Sequence, residues 1–295
     1  MEYVLETTGL TKRFDQTLAL DGVDLEIRHS SIVGLLGRNG SGKTTLLHHL
    51  MGLQLPTAGS SRTLATPSDK LDHDQLIQIG FVPQEIRLLD WMTVEQHVRY
   101  VSSFYDDWDR ERERRLLDEL ELDAGAMVGA LSTGNLQKLA VLLAVGHHPR
   151  LLILDEPVSD LDPIVRATLL AFLLEIVRED EATILVSSHV LRDVEKIVDH
   201  VVCLDRGRVI TDSSLDELKE EFADWRVVSN GEPLPPRFPE PFVVRQEIRG
   251  REARLLVKNG VAEIERFRAR YTVEVIDRPM NLEEIFPLLL AGRAS

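Results

Sequence analysis

Gly37-Arg38-Asn39-Gly40-Ser41-Gly42-Lys43-Thr44-Thr45 fits the spacing G-x-x-x-x-G-K-[ST], with Gly37, Gly42, Lys43 and Thr44 at the four defined positions. The apolar run Ile32–Leu36 precedes it and a helical stretch, residues 45–51, follows it. The loop therefore joins a buried strand to the start of a helix, the context that the spacing requires. Glycines let backbone N–H groups close around phosphate oxygens, and the helix N-terminus adds its positive dipole end. Lys43 brings a point charge to the β and γ phosphates, and Thr44 offers a hydroxyl to Mg²⁺. Arg38, Asn39, Gly40, Ser41 and Thr45 complete the expected cradle.

A second half of the site lies far downstream. Leu151, Leu152, Ile153 and Leu154 form a continuous apolar run that ends in Asp155-Glu156-Pro157. A run of this kind reads as a central parallel strand with two carboxylates at its C-terminal edge, where ligands bind in open α/β sheets. Asp155 is placed to support Mg²⁺, and Glu156 to accept a proton from the water that attacks the γ-phosphate.

With both halves in view, the chain resembles the nucleotide-binding subunits of ATP-binding-cassette (ABC) transporters from its N-terminal region to about Phe222. Leu131-Ser132-Thr133-Gly134-Asn135, followed by Gln137-Lys138-Leu139, stands where that family carries its LSGGQ signature. The resemblance implies that Ser132 and Gly134 serve the nucleotide of an opposite subunit. It also implies that Phe14 stacks on adenine, that Gln84 senses Mg²⁺ and water, and that His189 touches the γ-phosphate. Lys43, Gln84, Glu156 and His189 then form the catalytic set, and Thr44, Gln84 and Asp155 the metal set. Ser159-Asp160-Leu161-Asp162 resembles the segment that crosses the family's dimer interface, with Asp160 where a small residue is usual. Two signature positions depart from the consensus, Thr133 for glycine and Asn135 for glutamine. A β-branched residue narrows the backbone's choices. The pattern Ser-x-Gly-x-x-Gln-Lys nevertheless resembles the cassettes of bacterial drug, antibiotic and polysaccharide exporters, so hydrolysis is expected to survive.

The fold implied is α/β: a P-loop NTPase cassette with a parallel core, an N-terminal antiparallel β portion and a helical subdomain over about residues 85–145. A small C-terminal α+β appendage follows. The expected division is residues 1–222 and 223–295. The expected partners are a second cassette, identical or related, and a separate transmembrane permease that selects the substrate. The rival reading is a soluble or regulatory cassette acting on a non-transport complex.

Composition narrows the classes. Thirty-four basic and 49 acidic residues give a net charge of −15. Such a balance opposes nonspecific nucleic-acid binding, which depends on counterion release to Lys and Arg, and opposes adsorption to anionic lipid. No apolar run is long enough to span a bilayer and the first residues show no signal-peptide pattern, so a cytoplasmic protein is expected, peripheral to the membrane through its permease. Cys203, the single cysteine, reads as a buried strand residue. The pairs His48-His49 and His147-His148 are sequence neighbours that share no helix face and are not read as metal sites.

Spaced apolar residues predict helices over residues 93–105 and 110–122. The mixed run Asp109-Arg110-Glu111-Arg112-Glu113-Arg114-Arg115 reads as a solvated helix face with local ion pairs. Leu88, Leu89, Trp91 and Met92 are unusually apolar for a loop, and they are either interface anchors or packing within the subdomain. Asp162 is a predicted N-cap with Pro163 in the first turn. Residues 231–241 hold five of the 13 prolines and read as an irregular loop. Beyond it come two predicted strands, residues 242–249 and 253–257, and a helix with Val261, Ile264, Phe267 and Tyr271 on one face. A third strand, residues 272–276, leads to a last helix with an Asn281/Glu284 capping box, which Pro287 should kink or shorten.

Overall fold

The computed structural model describes residues 3–158, 161–229 and 231–291. Ser159 and Asp160, half of the expected interface segment, lie outside the described residues. The chain divides after Asp212 into two compact units.

A six-stranded sheet forms the centre of the first unit. Its order is Arg208–Ser214, His200–Asp205, Ile32–Leu36, Thr183–Ser188, Leu151–Asp155, Ile79–Val82. The ladders joining the last five are parallel. Parallel strands are covered on both faces, so their sequences are apolar without alternation. Every residue of Ile32–Leu36, Leu151–Asp155 and Thr183–Ser188 is buried. The C-terminal ends of four adjacent strands therefore deliver the phosphate loop, Ser188-His189, Asp155-Glu156 and the segment leading to Gln84.

An antiparallel sheet carries the N-terminal portion, in the order Thr17–Arg28, Tyr3–Phe14, Ala58–Thr63, Thr66–Pro67. The hairpin ends with Phe14 opposite Thr17. Ala58–Thr63 was not evident in the sequence as a strand: its side chains are mostly exposed, and only its pairing with Tyr3–Phe14 defines it.

Helices Val94–Ser102, Arg110–Glu119 and Thr133–Val145 make up the helical portion. Their starts are marked by side chains that accept backbone N–H bonds, namely Thr93, Asp109 and Ser132, and Asp162 with Pro163 opens Pro163–Asp180 in the same way. One expectation needs correction here. Arg110 pairs locally with Glu113, but Arg112 is not solvated: it is 6 % exposed and turns inward to Asp180. Arg115 reaches Glu175 at 2.6 Å. The charged run docks this helix on Pro163–Asp180, because ionic heads at fixed spacing meet carboxylates on the facing helix. Trp91 is 69 % exposed, whereas Leu88, Leu89 and Met92 are half-buried.

In the second unit four antiparallel strands run in the order Val243–Arg249, Glu252–Lys258, Phe222–Ser229, Val273–Pro279. Phe222–Ser229 is interior to the sheet and was missed in the sequence, although Ala223, Trp225 and Val227 alternate onto the core. Ile264–Tyr271 packs Phe267 there, with Ile264 and Tyr271 at its edge. The proline-rich segment is irregular as expected, yet Phe238 within it is fully buried in that core. Gln246 clamps it, accepting from the Phe238 N–H at 2.7 Å and donating to its carbonyl at 3.2 Å. The last helix, Leu282–Ala291, is capped reciprocally by Asn281 and Glu284 and continues past Pro287 rather than stopping there.

Candidate functional site

A cleft of about 500 Å³ gathers residues from four segments: Phe14 and residues 17–19, the loop Asn39 to Thr45, Gln84, and Asp155 with Glu156. The loop's shape rests on its glycines. Gly42 sits at φ +109°, a conformation closed to side chains, and a Cβ there would come within 2.5 Å of the Ala19 carbonyl oxygen. A Cβ on Gly37 would collide with Ser41 Oγ and the Leu204 carbonyl oxygen. Ser41 Oγ is itself buried with no hydrogen-bond partner. An orphaned buried donor beside free backbone N–H groups at a helix start fits a polyphosphate.

Lys43 is buried. Its ammonium donates to the Gly37 carbonyl at 2.9 Å and stands 3.6 Å from Glu156 Oε1. Thr44 Oγ1 donates to Asp155 Oδ2 at 2.7 Å, and Ser187 Oγ donates to Asp155 Oδ1 at 2.5 Å. Ser187 Oγ also accepts from the Glu156 N–H at 3.0 Å. No local pattern marks this serine, and its double role, bracing the Asp155 carboxylate and the Glu156 backbone, depends on the pairing of Asp155 with Ser187 across the sheet. Glu156 occupies the left-handed region at φ 55°, and its Oε2 lies 2.7 Å from His189 Nδ1. The Glu156 carboxylate thus meets an imidazole by a hydrogen bond and an ammonium by an ion pair.

The donors facing one another, a threonine hydroxyl and a carboxylate, are hard oxygens of the kind Mg²⁺ takes. Among the described residues no group of three acidic, His or Cys side chains gathers to hold a metal. Mg²⁺ bound by one or two protein oxygens and by substrate phosphates matches that inventory. Gln84 is exposed and lines the same cleft.

The remaining expected residues fall in two groups. Phe14 lines the cleft mouth, 43 % exposed, with the Lys12 ammonium 5.0 Å from its ring centre. Arg38 is exposed and outside the lining, and its carbonyl accepts from Ser41 in the loop's turn. Ser132 and Gly134 open the helix Thr133–Val145 and do not line this cleft; Ser132 is exposed. Thr133 takes helical backbone angles as the helix's first residue, so glycine's freedom is not needed there. Cys203 is buried in its strand beside Leu36, and burial, reinforced by Asp205, pushes its thiol up to about 12. It is inert at neutral pH.

The parallel core and, within it, the succession of strand, phosphate loop and helix define a P-loop nucleoside triphosphatase. The model of the ABC transporter family matches residues 20–159. Over 301 residues the chain is 31% identical to the Nod factor export ATP-binding protein I of Cupriavidus metallidurans, covering 99% of each. It is 28% identical over 302 residues to the bacitracin transport ATP-binding protein BcrA of Enterococcus faecalis, covering 99% of this chain and 98% of the relative. Among solved structures, an ATP-binding subunit of an ABC transporter superposes with a TM-score of 0.66 at 30% identity, over 73% of this chain and 92% of the other. The cassette MJ0796, in a dimeric post-hydrolysis state bound to ADP and Pi, gives 0.63 at 26% identity, over 72% and 98%. The chain belongs to the ABC transporter family, as an ATP-binding subunit and ATP hydrolase.

Proposed function

We propose that this chain powers export by a separate membrane permease, closing head to tail with a second cassette around two ATP molecules. The observation that carries the chemistry is the set Lys43, Glu156 and His189, with the ammonium 3.6 Å and the imidazole 2.7 Å from the same carboxylate. In this reading Lys43 and the loop N–H groups orient the phosphates, and Phe14 offers its exposed face to the adenine. Glu156 takes the proton of the attacking water at a carboxylate oxygen, a role worth about 10²–10⁴ in rate. His189 and Gln84 position that water and the γ-phosphate. Mg²⁺, held by Thr44, Asp155 and Gln84, would neutralise charge on the β and γ phosphates. Ser132 and Gly134, which do not line their own chain's cleft, serve the nucleotide of the partner cassette.

Export rests on the relatives, which carry the names of Nod factor and bacitracin transport proteins. No helix among the described residues is long and apolar enough to cross a membrane. A cytoplasmic place at the inner face of the membrane, through the permease, follows from that reading. Trp91, exposed between half-buried Leu88, Leu89 and Met92, is the proposed anchor for the permease. The residues from about 223 onward act as an accessory domain. Steady-state ATP hydrolysis across protein concentration tests the proposal: turnover per chain should rise with concentration and vanish in Glu156→Gln. Turnover independent of concentration would overturn the shared site.

A further inference from the structure

Away from the phosphate loop, two carboxylates, a guanidinium and an imidazole close on one point. Arg112, itself buried, donates to both oxygens of Asp180, at 2.7 and 3.1 Å, and to the Val145 carbonyl at 3.4 Å. His148 lies between two carboxylates, with Nε2 3.1 Å from Asp109 and Nδ1 3.2 Å from Asp180. Asp109 caps the helix Arg110–Glu119 by accepting from Glu111 and Arg112 N–H groups, and its own N–H donates to the Gly146 carbonyl at 2.7 Å. His148 is held in the left-handed region at φ 52°, which persists only where surroundings over-determine it.

The cluster joins the far ends of two helices that matter for the reaction. Val145 and Gly146 end the helix that Ser132 opens, and Asp180 ends the helix that Asp162 caps, six residues after Glu156. Those helices run about 20 and 27 Å at 1.5 Å per residue, so a small rotation at the shared end moves the opposite ends by more. Arg112 at the last carbonyl of Thr133–Val145 also complements that helix's negative dipole end.

We infer that Arg112 and His148, with Asp109 and Asp180, form a positioning clamp that sets where Ser132 and Gly134 stand relative to Glu156 of the same chain. The inference rests on the proposed role of Ser132 and Gly134 toward a partner's nucleotide. The two ring nitrogens of His148 stand one at each carboxylate, so a single rigid ring ties the two helix ends together. Burial raises the Asp180 carboxyl, but the Arg112 bonds and charge, with His148, outweigh it and hold it below the usual carboxylate range. The charged groups facing His148 are Asp109 and Arg112 from one helix, Asp180 from the other, and His147 beside it. Arg150, His29 and Glu181 line a recess that Asp180 also borders.

The test uses the full chain in a Glu156→Gln background, measuring the ATP-dependent dimer Kd by sedimentation and ATP affinity at high dilution. His148→Gln should weaken the dimer about three- to tenfold, within the roughly two- to thirtyfold over which such networks modulate coupling, and leave ATP affinity unchanged. Asp109→Asn, which keeps a good N-cap, should weaken it likewise. His148→Arg, which can offer N–H donors to both carboxylates, should keep the dimer as tight as the parent. A dimer indifferent to His148→Gln and Asp109→Asn, or an ATP affinity that falls by the same factor, overturns the clamp alone. A parent chain that stays monomeric with ATP overturns the two-cassette reading and the clamp with it.

Discussion

His147 should make this protein lose stability in mild acid, before its carboxylates protonate. The imidazole is buried and stacks on Tyr105, with ring centres 4.0 Å apart and planes 17° apart. Burial, helped by the neighbouring His148, lowers its pKa from 6.5 to about 4. The unfolded chain therefore binds the proton near 6.5 and the folded chain only near 4. Between those values the unfolded state holds more protons, so stability falls as pH falls. At about 1.4 kcal/mol per pH unit the whole window removes about 3 kcal/mol. His147→Phe keeps a planar ring against Tyr105 and deletes the proton site. Urea unfolding followed by circular dichroism, at pH about 7 and about 4.5, should show the parent losing about 2–3 kcal/mol more than the variant. His29, His49 and His97, also lowered by burial, remain in both chains and cancel in that difference. Equal losses in the two proteins would refute burial of this ring as the cause.

Lys43→Ala should weaken ATP binding about a hundredfold or more, as expected for loss of a buried charge contact, and titration of a fluorescent nucleotide checks it; retained affinity would remove the loop from the site. Thr133→Gly should change turnover by less than about threefold, because position 133 already takes helical angles and glycine there costs about 0.5–1 kcal/mol of helix stability; a rise beyond about tenfold in steady-state hydrolysis would show the native signature to be impaired. Phe238→Ala should destabilise the C-terminal unit by about 3–5 kcal/mol, read as early loss of Trp225 fluorescence burial in denaturant. An unchanged midpoint would mean that the proline-rich segment is only a tether.

What the sequence disclosed was what short-range rules encode. The phosphate loop, the Asp155-Glu156 strand end, the caps at Asp162 and Asn281 and the irregular 231–241 segment each depend on residues a few positions apart. Ser187 escaped a role because its two bonds exist only once Thr183–Ser188 lies beside Leu151–Asp155. Arg112 was misread for a related reason: on its own helix it has acidic neighbours, and only the docking of Pro163–Asp180 brings Asp180 to it. Phe222–Ser229 was hidden by its buried Asp224, whose charge is answered by Arg254 and Arg278 from the flanking strands. Such partners lie 30 and 54 residues away, beyond any local pattern.

The order of the central sheet has a further meaning. Moving outward from the strand that ends in the phosphate loop, the neighbours lead to His189, then Glu156, then Gln84. Hydrogen-bonded strands lie about 4.8 Å apart, so main-chain bonds fix the order in which these groups follow one another, and side chains close the remaining gap, as His189 does to Glu156 at 2.7 Å. In the proposed reading, a change of permease or of cargo leaves this order untouched, because main-chain bonds and not exposed side chains set it.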